Sequence, residues 1–314
     1  MLPNFFIVGA PKAATDELYY QLDQHPQIYM SPLKEPCFFS SEVRIEHFDK
    51  NLQTRTRRAG ESLRRYLDEG VSSKRFGGII TCLQDYERLF FRVRDEQAVG
   101  EGSVCYLWST SAASAIASLI PSARIIIVLM DPAERAFHQY LKSLADRNVT
   151  HSFRTHLELA LRDKRETLNI YHPFLAFGQY AEQVRRYLEY FPREQVHISL
   201  YEDKEANPTA WFRSILHFVG VDDSFVPDPL EVPSPPHLMR QRWLESTKLR
   251  NLASSVRKLL SAASQSRIRR LLYQREDELT MLPEDRAVLV KFYEKDILEL
   301  QQILSRDLSA WLQY

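Results

Sequence analysis

The feature that most restricts the fold is a junction near the N-terminus. The apolar run Phe5-Phe6-Ile7-Val8 passes directly into Gly9-Ala10-Pro11-Lys12-Ala13-Ala14-Thr15, and helical spacing starts at about Asp16, with Leu18 and Leu22 on one face. A short uninterrupted apolar run is the pattern of a strand covered on both faces, as in parallel sheets flanked by helices. In the loop that follows, backbone N–H groups at a helix N-terminus can meet an anion, and Lys12 can add a point charge. The spacing is not the Walker order, in which lysine follows the second glycine, so an ordinary NTPase is excluded. On spacing alone the junction reads equally as an anion site or as a sharp strand-to-helix turn with a solvated lysine.

The alternation continues along the chain. Residues 125–130 and 196–201 are further β-branched apolar runs, and helical spacing occupies Ala112–Leu119 and residues 180–191 ahead of them. Strands alternating with helices predict a doubly wound α/β sheet. Residues 42–95 are rich in charge and carry Gly60, Gly70, Gly77 and Gly78, which predicts an irregular excursion over the sheet's carboxyl edge, where ligand-covering loops sit. Pro227, Pro229, Pro233, Pro235 and Pro236 interrupt regular structure, and residues 237–314 are expected to be helical. A last helix is expected from Pro283-Glu284-Asp285, with proline near N1 and acids in its first turn. No internal repeat or low-complexity tract interrupts the sequence, so residues 1–314 are expected to form a single domain.

Charge and cysteine usage narrow the function classes. Lysine and arginine number 41, as do aspartate and glutamate, so no global excess points to nucleic acid or an anionic membrane. An anion site must therefore be local. Cys37, Cys82 and Cys105 are an odd number without CxxC or Cys/His spacing, which argues against a disulfide framework or a zinc site and predicts reduced thiols. The first residues enter an apolar strand without a basic region or cleavage site, and the run 125–130 is far below the ~20 residues of a membrane span. A cytoplasmic protein is the expectation. From Arg240 to Arg275 ten basic residues face the single acid Glu245, either as an anion-binding face or as the solvated side of helices with an ordinary apolar stripe.

Several segments together resemble a known family. Residues 5–15, then His25-Pro26-Gln27-Ile28, then Lys34-Glu35-Pro36-Cys37-Phe38-Phe39, are similar in order and spacing to the start of bacterial sulfotransferases and the related heparan-type carbohydrate enzymes. Gly100-Glu101-Gly102-Ser103-Val104-Cys105-Tyr106-Leu107 and Asp131-Pro132-Ala133-Glu134-Arg135-Ala136 resemble the family's middle motifs. Phe177-Gly178-Gln179-Tyr180 and Asp307-Leu308-Ser309-Ala310-Trp311 resemble its later ones. The resemblance runs nearly end to end and implies a P-loop-type α/β fold, a parallel sheet flanked by helices with a helical C-terminal region. It implies transfer of a sulfonate group from 3′-phosphoadenylyl sulfate (PAPS) to a hydroxyl or amine, without a metal. The loop after the first strand would hold the 5′ end of PAPS or of the product 3′-phosphoadenosine 5′-phosphate (PAP), through Lys12, Ala13, Ala14, Thr15 and Asp16. The arginine and serine of an RDPxxRxxS motif would hold the 3′-phosphate, with Arg240 a further candidate. The glutamate of an E-x-x-F-F motif, Glu35 here, would take the acceptor's proton, unless it only pairs with a neighbouring lysine.

The chain departs from that pattern where the donor would bind. The family loop usually reads K-x-G-T-[TS]-[ST], whereas this one reads Lys12-Ala13-Ala14-Thr15-Asp16-Glu17, losing a glycine and two hydroxyls and gaining two acids. Met130 stands at the motif's arginine and His138 at its serine, and methionine cannot make the charge-assisted contacts of arginine. Each also has a plainer reading, Met130 as a core methionine and His138 as a helix-face residue. Three functions follow: a PAPS-dependent sulfotransferase with an unusual donor site and a small-molecule or saccharide acceptor; a PAPS-independent natural-product enzyme using Glu35, Lys12 and His138 for acid–base chemistry; or a non-catalytic binding relative.

Overall fold

The computed structural model describes residues 1–71, 73–146, 148–163, 168–169, 173–229 and 280–314. Its strands are β1 Phe5–Gly9, β2 Ile28–Met30, β3 Leu33–Lys34, β4 Arg75–Phe76, β5 Ala98–Gly102, β6 Arg124–Leu129 and β7 Val196–Leu200. The helices are α1 Thr15–Leu22, α2 Lys50–Asp68, α3 Leu83–Glu87, α4 Cys105–Trp108, α5 Ala112–Leu119, α6 Pro132–Ala145, α7 Phe153–Arg162, α8 Tyr180–Tyr190, α9 Tyr201–Ala206 and α10 Pro208–Val219. The last long helix, Pro283–Leu304, is called α11 here.

Five strands form one sheet in the order β2-β5-β1-β6-β7, and every pairing in it is parallel. The expected α/β architecture is thus present, with β1 at the centre. Residues 5–8 and 125–129 are at most 1% exposed, as strands sandwiched between helices must be. Close packing restricts what can stand beside them: a Cβ on Gly100 of β5 would come within 2.2 Å of the Phe5 ring.

The carboxyl ends of β1, β5 and β6 are tied together by backbone hydrogen bonds. Ala10 N–H donates to Val128 O, Ser103 N–H to Ile7 O, and Glu35 N–H to Gly102 O. The loops after these strands therefore share one edge, the edge at which open α/β sheets bind ligands. A Cβ on Gly9 would lie 2.7 Å from Leu107 Cβ, so glycine lets α4 approach the end of β1.

One sequence expectation changes. The stretch 42–95, read as irregular, contains the 19-residue helix α2, capped by Asp49, whose side chain accepts from Leu52 N–H. Leu63, Tyr66 and Leu67 bury one stripe of it, at the i, i+3, i+4 spacing, behind an otherwise charged surface. Arg75–Phe76 within the excursion also pairs in parallel with Leu33–Lys34, which precedes it.

At the C-terminus α11 begins at Pro283 with Glu284 and Asp285 in its first turn, as expected. Asp296 accepts from the N–H groups of Tyr180 and Ala181 at the start of α8. Arg286 reaches Asp131 and Glu134 at the start of α6. The basic stretch 240–275 and Pro233, Pro235 and Pro236 lie outside the described residues. No described helix is long and apolar enough to cross a membrane.

Candidate active site

The loop between β1 and α1 takes the left-handed conformation at two non-glycine residues, Lys12 (φ 73°) and Ala14 (φ 58°). Such angles cost energy and are held only where surroundings determine them. Ala14 occupies the N-cap of α1 without offering a side-chain bond, so the first N–H groups of the helix have no side-chain cap. Ala13 and Thr15 are buried, which leaves their backbone as what the loop presents. Lys12 is partly buried, and desolvation lowers its pKa; Asp16 and Glu35 oppose that fall, and Lys142 and Lys34 add to it.

The two acids that replace the family's hydroxyls behave differently. Asp16 is exposed and pairs with the Lys34 ammonium at 2.5 Å. Glu17 is taken by Lys204 of α9 at 2.8 Å and also accepts from Gln21. One residue along a helix rotates the side chain by about 100°, enough to send neighbouring carboxylates to different partners.

Lys34 closes β3 and is only 2% exposed, yet it remains charged because it bridges Asp16 and Glu35 at 2.5 and 3.1 Å. Burial by itself would lower its pKa, but the two carboxylates outweigh that and raise it. Glu35 follows in the left-handed region (φ 65°), its other carboxylate oxygen accepting from Val104 N–H at 3.2 Å. Lys12, Asp16, Lys34 and Glu35 thus form one electrostatic cluster at the carboxyl edge.

Beneath the cluster lies a polar hub that sequence reading did not single out. Glu101 of β5 is completely buried and accepts from the hydroxyls of Ser103 (2.7 Å), Tyr106 (2.9 Å) and Tyr86 (3.1 Å). Burial pushes its carboxyl up to about 7 against the lowering effect of those hydroxyls. Because Ser103 and Tyr106 spend their protons on Glu101, their oxygens are free to accept from Cys37 N–H (3.1 Å) and Phe39 N–H (3.3 Å). The hub thereby holds the segment that carries Glu35. An acid on the otherwise apolar strand Ala98–Gly102 was the available signal.

The second half of the expected donor site is less complete. Met130 is 3% exposed and belongs to the apolar core, in keeping with the plainer reading of that residue. His138 lies half-buried in the second turn of α6. Arg286 stands nearby at the start of α6, but Asp131 at 2.7 Å and Glu134 at 3.2 Å already share its charge. Arg135 is fully buried, donating to Gln139 and Phe174 O. Arg240 lies outside the described residues.

Comparison with known proteins gives a consistent result. A family model described as "Sulfotransferase family" matches residues 3–225. Human bifunctional heparan sulfate N-deacetylase/N-sulfotransferase 3 is 27% identical over 226 residues, 70% of this chain and 22% of that protein. Human carbohydrate sulfotransferase 15 is 26% identical over 256 residues, 70% of this chain and 44% of that protein. The chain therefore spans less than half the length of these curated relatives. Among solved structures, a sulfotransferase from Alicyclobacillus acidocaldarius superposes with a TM-score of 0.70 at 31% identity, covering 99% of both chains.

Proposed function

The chain belongs to the sulfotransferase family and is a transferase; from that premise we propose that it moves a sulfonate group from PAPS to a hydroxyl of a small molecule or saccharide. The observation that carries this reading is the cluster of Lys12, Lys34 and Glu35 at the carboxyl edge of the sheet, where a carboxylate stands beside two cations. The saccharide-directed names of the relatives favour a saccharide acceptor.

Glu35 is the group that accepts the proton of the attacking hydroxyl. Val104 N–H and the Lys34 ammonium orient its carboxylate, and Ser103 and Tyr106 hold the backbone just beyond it. Lys12, with Lys34 behind it, supplies the positive charge that favours charge developing on a leaving oxygen. The backbone of the first turn of α1 and Lys12 fit the 5′ end of PAPS, which supplies the activated sulfonate. Asp16 also places a carboxylate in that first turn, and at the 3′ end the fit is poorer, because Met130 offers a phosphate no charge-assisted contact. In-line transfer of this kind depends on positioning and charge, which is what the described residues provide.

The pairing of Asp16 with Lys34 and the burial of Met130 favour one other reading, a PAPS-independent enzyme in which Glu35, Lys12 and His138 perform acid–base chemistry in natural-product tailoring. Calorimetric titration with PAP, followed by PAPS turnover with hydroxylated acceptors, separates the two. Binding with acceptor-dependent release of PAP supports the first. Absence of both at millimolar ligand removes it.

A further inference from the structure

The catalytic candidate Glu35 has two neighbours that sulfonate transfer does not use. Glu35 and Cys37 flank Pro36, and both adopt left-handed backbone conformations, with φ 65° and 52°. Cys105, from the first turn of α4, brings its sulfur to 3.3 Å from that of Cys37. A carboxylate oxygen of Glu35 and the two sulfurs all lie within 4.8 Å of one another. Both cysteines are free and only 8% exposed.

We propose that Cys37, Cys105 and Glu35 form a binding site for one thiophilic divalent cation of the zinc type, and that the cation, when bound, takes the Glu35 carboxylate out of use. The expectation from cysteine spacing, which argued against zinc, rested on local motifs; this donor set is assembled from residues 68 positions apart.

The geometry needs little change. Two sulfurs at the usual Zn–S length of about 2.3 Å and a tetrahedral angle lie about 3.8 Å apart, so the thiols must open by roughly half an ångström. Supports outside the donor set already orient it. Cys37 N–H is held by Ser103 Oγ, and one Glu35 oxygen by Val104 N–H. Two thiolates and a carboxylate exceed a dication by one negative charge, which the Lys34 ammonium, 3.1 Å from Glu35 and shared with Asp16, partly offsets. With three protein ligands, the fourth position remains for water or an acceptor group, on the side where Glu35 is 15% exposed.

Binding exchanges protons for metal: one cation adds to two thiols and one carboxylate, two S–H bonds break, and two protons leave for solvent. Because the ligands are thiolates, affinity must rise with pH. The metal site does not depend on the sulfonate-transfer reading, and only its inhibitory effect does.

The test uses the full chain carrying Cys82→Ser, because Cys82 is an exposed free thiol, kept reduced with a phosphine. Cobalt(II) is titrated while its thiolate charge-transfer band is followed, and proton release is read in weak buffer. The expected result is one cobalt and two protons per chain, displacement by zinc, and loss of the band in Cys37→Ser and in Cys105→Ser. Glu35→Gln should keep the thiolate band and weaken binding roughly 10- to 100-fold. Circular dichroism of each variant separates a lost ligand from a lost fold, and Cys37→Ala serves if Cys105→Ser does not fold. A reduced, folded protein without the band, or a band that survives both Cys37→Ser and Cys37→Ala, overturns the proposal. If the protein proves inactive with PAPS, the cobalt spectrum still decides the metal site. If it proves active, zinc should inhibit it, and inhibition should weaken in Cys105→Ser.

Discussion

Replacing Asp16 by threonine should strengthen PAP binding, whereas replacing Glu17 by serine should not. A full charge about 4 Å from a phosphate costs roughly 4 kcal/mol at an effective dielectric near 20. The Asp16 side chain is 56% exposed and already paired with Lys34, so solvent and that pairing reduce its effect to about 1–2 kcal/mol. Its removal also frees one side of Lys34 for a charge-assisted contact, adding about 1.5 kcal/mol. Together these amount to roughly 3 kcal/mol, or about a 100-fold fall in Kd. Glu17 is held by Lys204, so Glu17→Ser should change Kd by less than about threefold. Calorimetric titration of PAP into the parent, Asp16→Thr and Glu17→Ser proteins measures all three. Micromolar affinity in the parent chain would refute the argument, as would equal gains from the two substitutions. The first outcome would show that the Asp16–Lys34 pair opens at little cost, and the second that the acids act through general charge and not through position.

Other substitutions test the remaining parts of the site. Glu35→Gln should lower kcat on the natural acceptor by at least roughly 100-fold while thermal unfolding stays cooperative, because an amide cannot take the proton; near-normal kcat would remove Glu35 from the mechanism. Met130→Arg, which restores the family's residue, places a guanidinium at a core position that is 3% exposed and should cost about 2–4 kcal/mol in denaturant unfolding. Unchanged stability with tighter PAP binding would show that the longer side chain reaches the cleft. Glu101 gives a pH signature. Its folded pKa of about 7 lies above the ordinary carboxyl value of 4.5, so the native state holds the proton longer than the unfolded chain and stability falls as pH rises through that window. The stability of the parent minus that of Glu101→Gln should drop by about 3 kcal/mol between those pH values and level off above pH 7. A flat difference would mean that the three hydroxyls keep Glu101 ionised throughout.

The amino-acid order by itself determined the architecture around β1, because the determinants are local. An apolar run, a tight loop and an amphipathic helix follow one another within 22 residues, and the same periodicities mark β6, β7 and α11. Motif spacing likewise made Lys12 and Glu35 candidates for one site. Helix α2 was hidden because, among its described side chains, the buried stripe is Leu63, Tyr66 and Leu67 within a strongly charged segment, a pattern that reads as solvated until something packs against it. The electrostatics of the site were decided by tertiary structure alone. Asp16 and Lys34 meet because β3 returns beside the start of α1, and Glu17 leaves the cluster because α9 brings Lys204 to it. Glu101 acquires its hydroxyl donors, and Cys37 its partner sulfur, only when β5 and α4 pack under the segment after β3. A chain can state which charged residues it contains, but Coulomb energy and desolvation depend on distance and burial, and those exist only once the fold has closed.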